Sequence, residues 1–249
     1  MSRTKIYFAS DLHLGAPSPS KSLERERKFV RWLDTIKVDA KEVYLLGDIF
    51  DFWFEYKHVV PKGYVRLLGK LLELQESGIP ITVMRGNHDM WLYDYLEKEI
   101  GVTVLDQNIL REFDGKKFFI GHGDALGPGD TQYKILKKIF QNKCCQWLFR
   151  WLHPDIGMGI ANAWSQRSRS SHAAEDEKYL GDDKEWLVVY CKEQLKEAHQ
   201  DYFVFGHRHL PIDVEVGKGS RYVNLGDWIQ YFTYACFDGK KLELMKFEA

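Results

Sequence analysis

The sequence predicts an α/β fold, a four-layer α/β/β/α sandwich interrupted by an inserted helical cap. Short β-rich apolar runs alternate with helical patterns through the first half of the chain, which is the mark of a largely parallel, layered sheet. Five of these runs end abruptly in a polar cluster of Asp, Asn or His. The C-terminal region instead crowds four short strand-like segments together, as an antiparallel-rich sheet would.

Taken in order, residues 6–9 (Ile-Tyr-Phe-Ala) are an apolar run of strand length and run into Ser10-Asp11-Leu12-His13. A helical pattern follows over 23–36, and residues 43–46 form the next strand, ending in Gly47-Asp48. A second helix over 64–77 is closed by Gly78, a C-terminal stop signal. The strand at 81–84 leads into Arg85-Gly86-Asn87-His88-Asp89, and that at 118–120 into Gly121-His122-Gly123-Asp124. Residues 127–183 break the rhythm. Within them 133–153 hold Lys134, Lys137, Lys138, Lys143 and Arg150, no acidic residue, and many bulky apolar side chains. We read 127–183 as the helical cap, inserted between core segments 1–126 and 184–249. A helix over 185–199 returns to the core strand 202–205, which ends in Gly206-His207-Arg208-His209. Segments 213–216, 222–225, 234–237 and 242–247 read as the short strands of the second sheet, with Asp238-Gly239 a hairpin turn between the last two.

Composition narrows the function. At 249 residues with 45% hydrophobic content the chain can bury a substantial core. Thirty-five basic residues against 36 acidic ones remove the global electrostatic reason to expect a nucleic-acid binder. No apolar run approaches the roughly 20 residues that span a bilayer, and 6–9 is too short for a signal-peptide core, so a cytoplasmic protein is expected. Cys144, Cys145, Cys191 and Cys236 have neither zinc spacing nor a disulfide framework and read as reduced thiols.

The chemistry lies in the strand-end clusters. Five of the nine histidines fall in them, whereas His58, His153, His172 and His199 lack such company and read as surface residues. In open α/β sheets, ligand groups gather at the carboxyl ends of strands, where all five clusters sit. Imidazole, carboxylate and amide oxygen together suit divalent ions such as Mn²⁺, Fe²⁺ or Zn²⁺.

Five clusters in this order, Asp-x-His, Gly-Asp-x-x-Asp, Gly-Asn-His-Asp, Gly-His-Gly-Asp and Gly-His-x-His, resemble the calcineurin-like metallophosphoesterases over nearly the whole chain. The resemblance implies that Asp11, His13, Asp48 and His209 hold one metal and Asp48, Asn87, His122 and His207 a second, with Asp48 bridging. It implies that His88 stands beside the phosphate with Asp89 orienting its imidazole, and that Asp51 and Asp124 fix the orientation of the ligands. The stretches 7–14, 45–53 and 122–133 are similar, more narrowly, to the UDP-2,3-diacylglucosamine diphosphatases of lipid A biosynthesis.

That narrower likeness implies attack on the α-phosphorus of the UDP-linked lipid, with release of UMP and 2,3-diacylglucosamine 1-phosphate, and Mn²⁺ as the metal. Asp130, Tyr133 and Ser168 would meet the head group, and Trp53, Leu136 and Trp164 the acyl chains. Arg167 and Arg169 beside Ser165, Ser168, Ser170 and Ser171 form a polar cluster able to hold a phosphate or glucosamine group. The basic, aromatic stretch 133–153 suits contact with an anionic membrane, its lysines snorkelling, and equally suits the plain packing of a cap helix. Hydrolysis of another phosphodiester or nucleotide diphosphate is the alternative activity. A non-catalytic scaffold on the same fold is the third reading.

Overall fold

Both faces of β1 (Lys5–Ala9) are covered: Ile6 and Phe8 point into one apolar layer, Tyr7 and Ala9 into another. A strand so placed must lie inside a sheet with packing on either side. The computed structural model describes residues 3–127, 131–176 and 178–248, the side chains of 132 and 166–176 excepted.

Helix α1 (Pro19–Ile36) starts at Ser18, whose hydroxyl accepts from the Lys21 amide at 3.4 Å, and buries Phe29, Trp32, Leu33 and Ile36. β2 (Ala40–Leu45) pairs parallel to β1 with Tyr7 opposite Val43 and Ala9 opposite Leu45. Helix α2 (Val65–Glu76) buries Leu67, Leu71 and Leu74, one helical face. β3 (Ile81–Met84) and β4 (Thr103–Leu105) extend the parallel sheet. β5 (Ile109–Phe113) and β6 (Lys116–Ile120) form an antiparallel pair. Helices α3 (Thr131–Gln141), α4 (Lys143–Arg150) and α5 (Pro154–Asp176) follow, then α6 (Trp186–Glu197). The chain closes with β7 (Tyr202–Phe205), β8 (Pro211–Gly217), β9 (Ser220–Leu225), β10 (Thr233–Phe237) and β11 (Leu242–Lys246).

The strands form two sheets, β11-β10-β1-β2-β3-β4 and β5-β6-β7-β9-β8. Ile6, Phe8, Tyr44 and Leu46 of the first meet Phe118, Ile120, Val204 and Val223 of the second in the central layer. Helices α1 and α2 cover the outer face of the first sheet, and Leu187, Val188 and Cys191 of α6 cover the outer face of the second. This is an α/β/β/α sandwich. Truncating a central side chain such as Phe8 costs about 3–5 kcal/mol.

The C-terminal strands depart from the sequence reading, which placed all four in the second sheet. β8 and β9 join it, while β10 pairs antiparallel with β1 in the first sheet and β11 covers its edge. Burial explains the division. Ala235 and Phe237 fill the central layer while Tyr234 and Cys236 face the α1 side, so β10 needs cover on both faces. In the second sheet, β7 pairs parallel with both β6 and β9. The motif-bearing runs are therefore shared: β1, β2 and β3 in one sheet, β6 and β7 in the other.

Candidate metal centre

Beyond the ends of β1 and β2 the parallel pairing continues into the loops. The Asp11 amide donates to the Gly47 carbonyl at 3.1 Å, and the His13 amide to the Asp48 carbonyl at 2.9 Å. Buried Arg25 of α1 braces the first loop, Nη1 donating to the Leu12 and His13 carbonyls at 2.7 and 2.8 Å. Asp11, His13, Asp48, His207 and His209 all adopt positive φ, between 43° and 66°. Non-glycine residues held there are strained and cluster at functional sites. Small neighbours make the crowding feasible. A Cβ on Gly206 would come within 2.5 Å of the Asp11 carboxylate, and one on Gly86 would strike Asp48 Oδ1.

Among the described residues, donor atoms gather in three groups; one is His13, Asp51 and His88, and the other two share Asp48. Of that pair, Asp11, His13, Asp48 and His209 converge in one, Asp48, His122 and His207 in the other. His13 Nε2 lies 3.2 Å from His209 Nε2 and 3.5 Å from Asp48 Oδ2, and His209 Nε2 lies 3.4 Å from Asp11 Oδ1. On the other side of Asp48 Oδ2, His122 Nε2 is 3.5 Å away, with Asn87 Oδ1 a further 3.0 Å from that nitrogen.

The imidazoles are aimed. His122 Nδ1 donates to the Leu46 carbonyl at 2.6 Å, which leaves Nε2 for the centre. His13 Nδ1 faces Asp51 Oδ1 at 3.3 Å, and His209 Nδ1 faces Asp227 Oδ2 at 3.4 Å. Asp227 was not singled out in the sequence, yet the signal was present. Tyr222-Val223-Asn224-Leu225 is another apolar run and ends, like the second, in Gly-Asp.

The donor set fits divalent cations. Asp11 Oδ1 and Asp48 Oδ2 are buried with no hydrogen-bond partner among the described residues, and each points at imidazole nitrogens. Buried carboxylate oxygens left so are costly. Atoms bound to one ion at about 2.0–2.2 Å stand roughly 3 Å apart, close to the spacings here. Without cations the protons distribute unevenly. Burial lowers the His122 pKa, but Asp48, Asp11 and Asp124 outweigh it and lift the ring to about 10. Burial, reinforced by the His122 charge, pushes His207 down to about 3. Burial raises Asp11 to about 6, while the surrounding His122, His88 and His13 hold Asp48 well below the usual carboxylate range against its own burial.

His88 stands beside this centre, its ring edge-on to His13 at 4.6 Å between centroids. Its Nδ1 meets the Asp51 carbonyl at 3.0 Å and Ser165 Oγ of α5 at 3.2 Å. Asp89 does not orient it. The Asp89 carboxylate is fully buried and accepts from the backbone amides of Gly86 (2.8 Å), Ile49 (2.8 Å) and Asp48 (3.3 Å). It ties the Asp48 turn to the Asn87 turn, because amides crowded at two adjoining tight turns need an acceptor and among the described residues no backbone carbonyl reaches them. Asp124, whose charge acts on His122 and His207, accepts from Tyr133 Oη and Lys137 Nζ of α3, both at 2.6 Å.

The remaining expectations divide. Trp53, expected on the acyl side, is wholly buried in the core against Phe50, Tyr64 and Tyr95, and its indole donates to Glu55 at 3.1 Å. An indole enclosed on every side offers no surface to a ligand. Leu136 is half-buried on α3, and Trp164 on α5 is 56% exposed beside Phe140. Ser165, read only as part of a polar cluster, is buried against His88. Asp130 and the side chains of Arg167, Ser168, Arg169, Ser170, Ser171 and His172 lie outside the described residues.

The family model of the calcineurin-like phosphoesterases matches residues 4–211, and the chain belongs to that family. It is 39% identical to the UDP-2,3-diacylglucosamine hydrolase of Porphyromonas gingivalis, over 99% of this chain and 98% of the relative. The proteins of the same name from Proteus mirabilis and Histophilus somni are 29% and 28% identical, over 96% and 90% of this chain and 98% and 92% of theirs.

Proposed function

We propose that this chain hydrolyses the diphosphate of UDP-2,3-diacylglucosamine in lipid A synthesis, releasing UMP and 2,3-diacylglucosamine 1-phosphate. The observation that carries the reading is the pair of donor groups sharing the orphaned oxygen of Asp48, in a chain matched along nearly its whole length by hydrolases of that name. Asp11, His13, Asp48 and His209 hold one divalent ion in this reading. Asp48, Asn87, His122 and His207 hold the other, and Mn²⁺ suits the mixed nitrogen and oxygen donors. Such a pair supplies charge against the diphosphate oxygens and a more acidic water for in-line attack at phosphorus.

The protein's own groups do the rest. With Nδ1 committed to the Asp51 carbonyl, His88 keeps Nε2 to hold a proton toward the leaving oxygen or to steady the transferring phosphoryl group. Ser165 and the Tyr133–Asp124 contact connect α5 and α3 to the centre, so the three helices act as a specificity cap. Ile135 and Ile139 on α3, and Ile156, Ile160 and Trp164 on α5, recur at four-residue spacing and remain exposed. These stripes suit acyl chains. On α4 and at its C-cap, exposed Trp147, Leu148 and Trp151 beside Lys143 suit the face of an anionic membrane, although no helix among the described residues is long and apolar enough to cross one.

The test is UMP release from UDP-2,3-diacylglucosamine with Mn²⁺, run beside a soluble chromogenic phosphodiester. Turnover of the lipid substrate that disappears in Asp48→Ala is the expected result. Turnover of the soluble ester alone would discard the lipid substrate while keeping the metal centre. Sedimentation with phosphatidylglycerol vesicles but not phosphatidylcholine vesicles, lost in Trp147→Ser/Trp151→Ser, is the expected result for the membrane face.

A further inference from the structure

Between the two inward-facing histidines of the last motif, Arg208 turns the opposite way. It is 1% exposed, and Nε donates to Glu185 Oε1 at 2.7 Å, with Glu185 itself wholly buried. Nη2 donates to the Lys178 carbonyl at 2.7 Å, and the guanidinium lies 5.4 Å from the Trp186 ring centroid. Glu185 occupies the N-cap of α6, a position whose side chain often accepts from the first helix amides. Its carboxylate makes no capping bond and faces Arg208 and the Leu180 amide instead. The segment 178–185, which returns from α5 to α6, is thereby fastened to the loop that carries His207 and His209.

That loop needs fastening. Both histidines are left-handed, at φ 66° and 56°, a strained conformation for non-glycine residues that surrounding contacts must offset. From inside, the His207 amide is held by Asp11 Oδ2 at 3.0 Å. From the strand side, Asn224 Nδ2 donates to the Gly206 carbonyl at 2.5 Å, and from outside the Arg208 fork ties the loop to Glu185 and Lys178.

We propose that Glu185 and Arg208 are positioning residues: a buried clamp that holds the strained His207–His209 loop in ligand geometry and ties it to the return from the cap. The proposal rests on the reading of His207 and His209 as metal ligands. A buried pair can often be exchanged for apolar side chains without loss of stability, whereas removal of one partner leaves a charge unmatched. The informative variant is therefore the double replacement Glu185→Leu/Arg208→Met.

The measurement is Mn²⁺ titration of the full chain, following the electron paramagnetic resonance signal of free Mn²⁺, with thermal unfolding as the check on folding. The double variant is expected to stay folded and to bind Mn²⁺ about 10- to 100-fold more weakly, a loss typical of groups that orient ligands. Its turnover should recover at saturating Mn²⁺. Glu185→Gln, which keeps the shape and a hydrogen-bond acceptor, should lose less, and this keeps the test open if the double variant does not fold. A folded double variant that binds two Mn²⁺ as tightly as the unchanged chain overturns the clamp alone. An unchanged chain that takes up no Mn²⁺ overturns the metal centre and the clamp with it.

Discussion

At the carboxyl ends of the strands, Asp11, His13, Asp48 and His122 are buried among one another, on a backbone held left-handed at the first three. On α3–α5 the pattern is reversed: Ile139, Trp147, Leu148 and Trp164 lie open to solvent on regular helix. Neither arrangement is what folding alone favours, since buried carboxylates are costly and exposed tryptophans waste apolar surface. Each becomes reasonable when its missing partner is supplied, a pair of cations for the first and an acylated substrate or membrane for the second. In the proposed function, bond-breaking and substrate choice reside in different parts of the molecule, joined through His88–Ser165 and Asp124–Tyr133.

The two regions should separate under mutation. The largest effect belongs to Asp48→Ala, which removes the shared oxygen. Activity should fall to background on any substrate and both ions should be lost, as read by activity and bound Mn²⁺; two ions retained would break the assignment. His88→Ala should slow turnover about 10²- to 10⁴-fold with Mn²⁺ uptake unchanged. Loss of metal in that variant would move His88 among the ligands. Asp227→Asn should weaken Mn²⁺ binding about 10- to 100-fold, because the His209 ring loses its carboxylate partner.

A pH series comes next. His122 in the metal-free protein stays protonated up to about pH 10, so an entering ion must displace that proton. Affinity for Mn²⁺ should fall about tenfold for each unit that pH drops near neutrality. The fall should steepen below about 6, where Asp11 also takes up a proton. Calorimetric titration at pH 5.5, 7 and 8.5 reads this, and a flat profile would mean that His122 does not give up its proton to the ion. The smallest effect is expected on the helices. Ile160→Ser should lower kcat/KM on UDP-2,3-diacylglucosamine up to about tenfold relative to a soluble phosphodiester, a loss of roughly 1 kcal/mol of apolar contact. An equal loss on both substrates would return Ile160 to a structural role.

Nine of the eleven strands among the described residues, the flanking helices and the clustering of the motifs were legible in the sequence because each rests on local pattern: apolar runs of strand length, i, i+4 spacing, and Gly-Asp or Gly-His at a strand end. The short β4 and the largely exposed β5 lack such a run and were not legible. What remained hidden depends on neighbours distant in sequence. The division of the C-terminal strands follows from β10 needing cover on both faces, which only its pairing with β1 reveals. Asp89 reads as a partner for the adjacent His88, yet it serves amides about 40 residues away at Asp48 and Ile49. Trp53 sits within a motif and so reads as part of the site, but its ring points into the core. Ser165 reaches His88 across 77 residues, a contact no spacing rule could propose.

The central claim is that Asp48 joins two ions in one centre. Mn²⁺ titration of the metal-free chain, followed by electron paramagnetic resonance, addresses it directly. The expected result is two Mn²⁺ per chain with an exchange-coupled spectrum that collapses in Asp48→Ala. A single bound ion, or two ions without magnetic coupling, would contradict it.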